Sequence, residues 1–391
     1  MPELPSRVWR FIVSWGLSQT GAGFVFTFNF VYLAQARALG PAAAGAVLAA
    51  AAAAGALVLP LGGLLADRLG TDRVTAAALL LTACGSVGFT AVHGPASAFI
   101  AAILFGAGWA TSWNGMAAVF GGAVPPEKLD GVFAVNNVLQ NMGFGIGAAA
   151  GGLIAHVAAP SSFAPGFVAD AALRVAFALV LLSAGGLARA AQPHPRPPRG
   201  LLDPRLIGLA AIATLVVAAG FSQVTSAFAD WTTLVTGSTA LLGLALALNT
   251  LVIAVLQIPV LRWVMAGRRR MPMAAAGAAL FAGAWLLALL ATPDALLASM
   301  MVFGLGETLY VPVMSAMVND LAPQAMRARY NGVYNLSNQV GSIVGPAAAG
   351  AVLAGGHAAA LLVGLAVACA LGGAAALAMQ PLLAGIEGAR A

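Results

Sequence analysis

Twelve apolar stretches, each long enough to cross a bilayer, constrain this chain more than anything else in it. They lie near 10–33, 43–65, 74–92, 96–119, 131–157, 166–188, 206–235, 239–262, 272–291, 295–318, 331–354 and 357–382. Spanning the hydrocarbon takes roughly 20 apolar residues at about 1.5 Å each. The stretches are continuous Ala/Leu/Val/Gly runs without the two-residue alternation of a membrane barrel, so each is expected to be a helix. With 61% hydrophobic and 8% charged residues, against about a quarter charged in soluble proteins, the chain has no material for a water-facing shell. An all-α membrane protein follows.

The net charge of +6 does not point to nucleic acid, because the basic residues stand in short connections between apolar runs. Placing both termini in the cytoplasm puts all but Arg37 and Arg174 of the 18 Lys and Arg residues on the inner side. That asymmetry orients the chain as a multi-pass cell-membrane protein. The stretch after Arg7 and Arg10 is too long for a signal-peptide core and reads as a retained first helix. Cys84 and Cys369 lie far apart in apolar runs, so both are expected to be packing residues, with no disulfide, metal site or cofactor implied.

A Pro/Arg-rich stretch at 189–204 is expected to form an extended linker between two halves, 1–188 and 205–391. The halves echo each other. Phe105, Gly106 and Gly108 recur 198 positions later as Phe303, Gly304 and Gly306; Gly143, Gly147 and Gly152 recur as Gly341, Gly345 and Gly350. At an offset of 204, "GLSQ" with Gln19 matches "GFSQ" with Gln223. The order is kept through both halves, the mark of two parallel repeats. Within the echo, Trp109 stands where the second half has Glu307.

At the inner end of the second stretch, "GGLLADRLGTDR" holds Gly63, Asp67, Arg68, Gly70 and Arg73. These residues resemble the loop 2–3 signature of the Major Facilitator Superfamily, departing from it at Thr71 and Asp72. Twelve helices, two six-helix halves and a central linker extend the resemblance over the whole chain. It implies two pseudo-symmetric six-helix bundles, a transporter rather than an enzyme, a monomer, and alternating access to a central site. The loop 2–3 residues would then act as a conformational latch. "GFGIGAAAGG" in the fifth stretch resembles the Gly-rich pattern of antiporter branches, with Ala148 in place of a proline that the eleventh stretch keeps as Pro346. Close helix packing by Gly143, Gly147, Gly152, Gly341, Gly345, Pro346 and Gly350 accounts for both copies equally well. The arginine that drug:proton antiporters often carry in the fourth helix is replaced by Ala102.

Few ionisable residues remain inside the stretches. Glu307 lies near the expected midplane with no basic residue within a turn, where a carboxyl group can gain or lose a proton as water leaves or enters. The alternative is interhelical glue held by Asn or Tyr, and an acid inside a membrane helix points to function first. Asp230, near the outer end of its stretch, is either an external gate or a solvated helix end, and a second candidate for proton coupling. Asp170 and Arg174, four apart, are expected to pair at the outer end of the sixth helix. His93, His156 and His357 read as loop or boundary residues.

Candidate substrate contacts are Trp109, Trp113 and Asn114 in the fourth stretch; Tyr310 and Met314 beside Glu307; Gln19 and Gln223; and the amide stripes Asn137, Gln140, Asn141 and Asn335, Asn338. Amides do not face lipid cheaply, so these line a cavity or bridge helices. The most similar branch is that of drug:proton antiporters, which implies proton-driven export of a small, partly apolar organic molecule. An importer or facilitator of a sugar, amino acid or other metabolite, and a non-transporting receptor on the same fold, are the alternatives.

Overall fold

The computed structural model describes residues 6–124, 126–183, 203–260, 269–323 and 326–388. Most of the expected linker, 189–202, lies outside these residues. The helices are α1 (Ser6–Val31), α2 (Pro41–Leu69), α3 (Thr71–Thr90), α4 (Pro95–Ala123), α5 (Pro126–Ile154), α6 (Ala164–Ser183), α7 (Pro204–Val216), α8 (Ser222–Val224), α9 (Ala227–Thr236), α10 (Thr239–Pro259), α11 (Arg270–Ala288), α12 (Pro293–Leu321), α13 (Arg327–Ala354) and α14 (Ala358–Gly388). Among the described residues, nine helical segments are long and apolar enough to cross a membrane. The other three of the twelve apolar stretches lie in α1, α5 and α13, of 26, 29 and 28 residues. Leu57, Leu153 and Leu179 are exposed on helix surfaces, which suits a chain whose outer solvent is lipid.

The seventh stretch is not the single helix that its apolarity predicts. After α7 the backbone widens into a π-turn at Val217–Phe221, resumes as α8, and turns again before α9. Side-chain oxygens near the break bond to backbone carbonyls: Ser222 Oγ donates to Val217 O at 2.9 Å and Ser226 Oγ to Ser222 O at 2.8 Å. Such local bonds compete with the regular ladder.

The chain divides into two compact units, Met1–His194 with Ser238–Ala247, and Pro195–Gly237 with Leu248–Ala391. In the first, α1 packs on α5 and α6, and α3 and α2 on α4. In the second, α7 packs on α13 and α14, and α11 on α12 and α14. The sequence echo is therefore an echo of close approaches. Gly106 lies against Ala51 on α2, and Gly304, 198 positions later, against Asn249 on α10. Gly143 and Gly147 lie against Gly16 and Thr20 on α1; Gly341 and Gly345 lie against Thr214, Val217, Ala218 and Ser222 around the break. The N-terminal part of α10 belongs to the first unit, where the Thr239 hydroxyl donates to Ala155 O at 2.5 Å.

Cys369 is buried, but Cys84 is exposed on α3, so packing explains only one of the two. Asp203 caps α7 by accepting the Arg205 backbone N–H at 2.8 Å, and Arg205 Nη2 donates to its carboxylate at 2.7 Å. The side-chain hydrogen bond from Arg205, more than any other cause, holds the Asp203 carboxyl below its usual value. A depressed carboxyl group stabilises the fold above its unfolded pKa and loses that contribution as pH falls through the folded one. Asp203→Ala is expected to cost about 1 kcal/mol at neutral pH. The difference in melting temperature from wild type, followed in detergent, should shrink only in acid.

Candidate functional site

In the first unit, α4 presents an aromatic ladder. Phe105 and Trp109, one turn apart, have ring planes 7° from parallel with centroids 6.2 Å apart. Trp113 continues it at 5.4 Å from Trp109, and Phe26 of α1 meets Trp109 edge-on at 4.8 Å. Trp109 is part-exposed and Trp113 is 43% exposed. Asn114 is exposed too, but its amide folds back to Ala110 O at 2.8 Å.

Behind this ladder sits a buried charge cluster. Asp170 and Arg174 do pair, Nε to Oδ2 at 2.9 Å, and both side chains have zero exposure. Arg174 lies ten residues beyond Ala164, the first residue of α6, about 15 Å along the helix. Ser86 of α3 donates to Asp170 Oδ2, and the Arg174 guanidinium carbon lies 4.9 Å from the Trp109 ring centroid. The fourth helix lacks its expected arginine at Ala102, yet the sixth brings a guanidinium to its side. Spacing revealed the pair; only the rotation of α6 against α4 revealed its aromatic neighbour.

Among the other first-unit candidates, Asn141 Nδ2 donates to Asn137 O at 2.8 Å, while Gln140 is part-exposed. Gln19 is fully buried, donates to Ser18 Oγ at 3.4 Å, and leaves its Oε1 without a partner. Asp67, Arg68 and Arg73 are exposed around Gly70, whose φ of +94° makes the turn into α3. That left-handed value explains the glycine at 70. Gly63, by contrast, faces open space.

In the second unit, Glu307 is part-buried on α12 and makes no hydrogen bond or ion pair among the described residues. Its helix neighbours are more enclosed. Tyr310 is 2% exposed, with Phe281 and Phe221 at 5.8 and 6.2 Å, and its hydroxyl has no partner; Met314 is fully buried. Gln223 is occupied: Nε2 donates to Ala218 O at 2.6 Å and Gly345 O at 3.0 Å, and Oε1 accepts from Ser226 at 3.2 Å. It thus ties the break in the seventh stretch to α13. Asp230 lies in the first turn of α9 at 1% exposure, which removes the reading of a solvated helix end. Asn335 is exposed, and Asn338 bonds to the Tyr334 hydroxyl. Sequence reasoning passed over Asn249, an amide in an apolar run, which donates to Met300 O at 3.2 Å one turn from Gly304.

These two units of echoing helices match a known family along nearly their entire length. The family model of the Major Facilitator Superfamily matches residues 13–208 and 210–384. The chain belongs to the Major Facilitator Superfamily. A curated relative, the uncharacterized MFS-type transporter YttB of Bacillus subtilis (strain 168), is 24% identical over 299 residues, covering 73% of this chain and 72% of that protein. Among solved structures, a peptide transporter POT in complex with sulfate is similar at TM-score 0.78 and 18% identity, over 98% of this chain and 96% of that one. The nucleoside transporter NupG is similar at TM-score 0.79 and 17% identity, over 95% and 99%. At such identities the structural likeness carries the fold alone. This superfamily member is a multi-pass membrane transporter with twelve helices in two pseudo-symmetric bundles.

Proposed function

We propose that this transporter exchanges protons for a small, partly apolar organic molecule, exporting it by alternating access, with Glu307 as the proton-carrying group. The supporting observation is that Glu307 is a part-buried carboxyl group on α12 with no hydrogen-bonding or ionic partner among the described residues. A carboxylate used only as glue would hold a donor; one left without a donor is free to take a proton when water withdraws. Trp109 and Trp113 supply part-exposed ring surface for the apolar portion of the substrate, and Asp230 is a second acid for the proton path. Tyr310, Met314 and Gln223 are proposed to support the site from within the second bundle, since each is already covered or bonded. Asn137, Gln140, Asn141, Asn335, Asn338, Asn114 and Gln19 remain candidate polar contacts.

Asp67, Arg68 and Arg73 are proposed as a latch that forms in one conformation and opens in the other. The distribution of basic residues supports a cell-membrane orientation with both termini on the cytoplasmic side, and the protein is taken to work as a monomer.

The test is the internal pH of proteoliposomes holding the full chain, with a panel of neutral and cationic aromatic compounds added outside. A substrate should move protons in wild type, and Glu307→Gln should abolish that movement while still binding the compound. Flux without proton movement, or normal coupling in the variant, would replace this reading with a facilitator or importer.

A further inference from the structure

Arg174 has no exposure, yet it lies against a ring that is itself part-exposed. Its guanidinium carbon is 4.9 Å from the Trp109 centroid and 5.8 Å from that of Phe105. Because those rings are nearly parallel, one guanidinium serves both. Asp170 and Ser86 anchor the cluster, but Asp170 attaches at Nε; Nη1 and Nη2 have no hydrogen-bond acceptor. The positive N–H groups of this cation are thus left to the aromatic faces.

We propose that Arg174 sets the charge preference of the Trp109 surface, turning it away from organic cations and towards neutral or electron-rich aromatic groups. A bare indole attracts cations through the negative face of its ring. Here that attraction is already engaged by a cation of the protein, whose charge opposes a second one nearby with little water between them to screen it. The Asp170 carboxylate makes the pair neutral as a whole, so the effect is a local bias and not a net field. The helix-4 ladder alone reads as a cation-binding wall; with Arg174 behind it, it discriminates against one. The inference rests on the reading that Trp109 contacts substrate.

Two isosteric probes separate charge from shape: the 2-naphthoate esters of choline and of 3,3-dimethylbutanol. Binding to the purified full-length protein in detergent is followed by naphthyl fluorescence. Trp109→Leu is expected to weaken the neutral ester about fivefold and the choline ester by less than about twofold. In the background Asp170→Asn with Arg174→Met the order should reverse, the choline ester losing at least as much. A greater loss for the choline ester in the otherwise wild-type chain overturns the proposal. That comparison needs only the Trp109 substitution and decides the matter even where the pair variant does not accumulate. An unchanged order in the pair variant overturns this proposal while leaving Trp109 as a contact. No loss for either ester removes Trp109 from the site, and this inference falls together with the reading beneath it.

Discussion

Arg174→Met alone should lower stability by about 3–5 kcal/mol, whereas the same change made with Asp170→Asn should be close to neutral. The asymmetry comes from what each variant leaves behind. Both charged side chains have zero exposure, so removing the guanidinium strands a carboxylate supported only by Ser86. That hydroxyl cannot replace the lost countercharge. Removing both charges leaves an amide of nearly the same shape, still within reach of Ser86, and an apolar chain against Phe105 and Trp109. Folded domains are stable by only about 5–15 kcal/mol, so the single loss is a large share of the total. The measurement is the melting temperature and the monodisperse fraction in detergent for the two single variants and the double. Equal losses in Arg174→Met and the double variant would mean that the side chain acts through packing and not through its charge.

The same cluster shows where sequence reasoning stops. Asp170 and Arg174 stand four apart, so their pairing was legible from helical geometry. Their complete burial was not, because it follows from how neighbouring helices pack and not from hydropathy along one stretch. Their contact with Trp109 depends on how α6 turns against α4, which no local pattern encodes. Helix number and the two-fold echo were legible for the opposite reason: lipid demands long apolar helices, and glycines at matching positions demand matching close approaches. The break near Gln223 escaped because it contains no proline and no loss of apolarity. It is made by Ser222, Gln223 and Ser226 bonding to nearby carbonyls, and side chains of that kind fit a continuous helix almost as well. Glu307 was legible because an ionisable residue stands out in an apolar stretch, while Asn249, a neutral amide in a stretch that also holds Gln257, drew no notice.

The glycines give the second large effect, and its sign differs between positions. Gly147→Ala should destabilise the first bundle by about 1–3 kcal/mol. A methyl group there would fall on the Thr20 carbonyl of α1, with the Phe24 backbone nitrogen at 3.0 Å. Both obstacles are backbone, so no side-chain rotation relieves them and α1 must shift away from α5. Gly345, its repeat equivalent, meets the Ser222 hydroxyl and the Ala218 carbonyl, the latter at 2.8 Å. The hydroxyl can rotate, giving up its bonds to Val217 and Ala218, so Gly345→Ala should cost less than Gly147→Ala. Gly332, in α13, has nothing within 4 Å of the added methyl group. There the same substitution should stabilise by about 0.5–1 kcal/mol, because alanine loses less conformational freedom in a helix than glycine does. Melting temperatures of the three variants in one detergent test the order Gly332, Gly345, Gly147 from most to least stable. A Gly147→Ala protein that melts with wild type would show that α1 and α5 do not need glycine at their crossing, and the shared glycine pattern of the two halves would then require a reason other than packing.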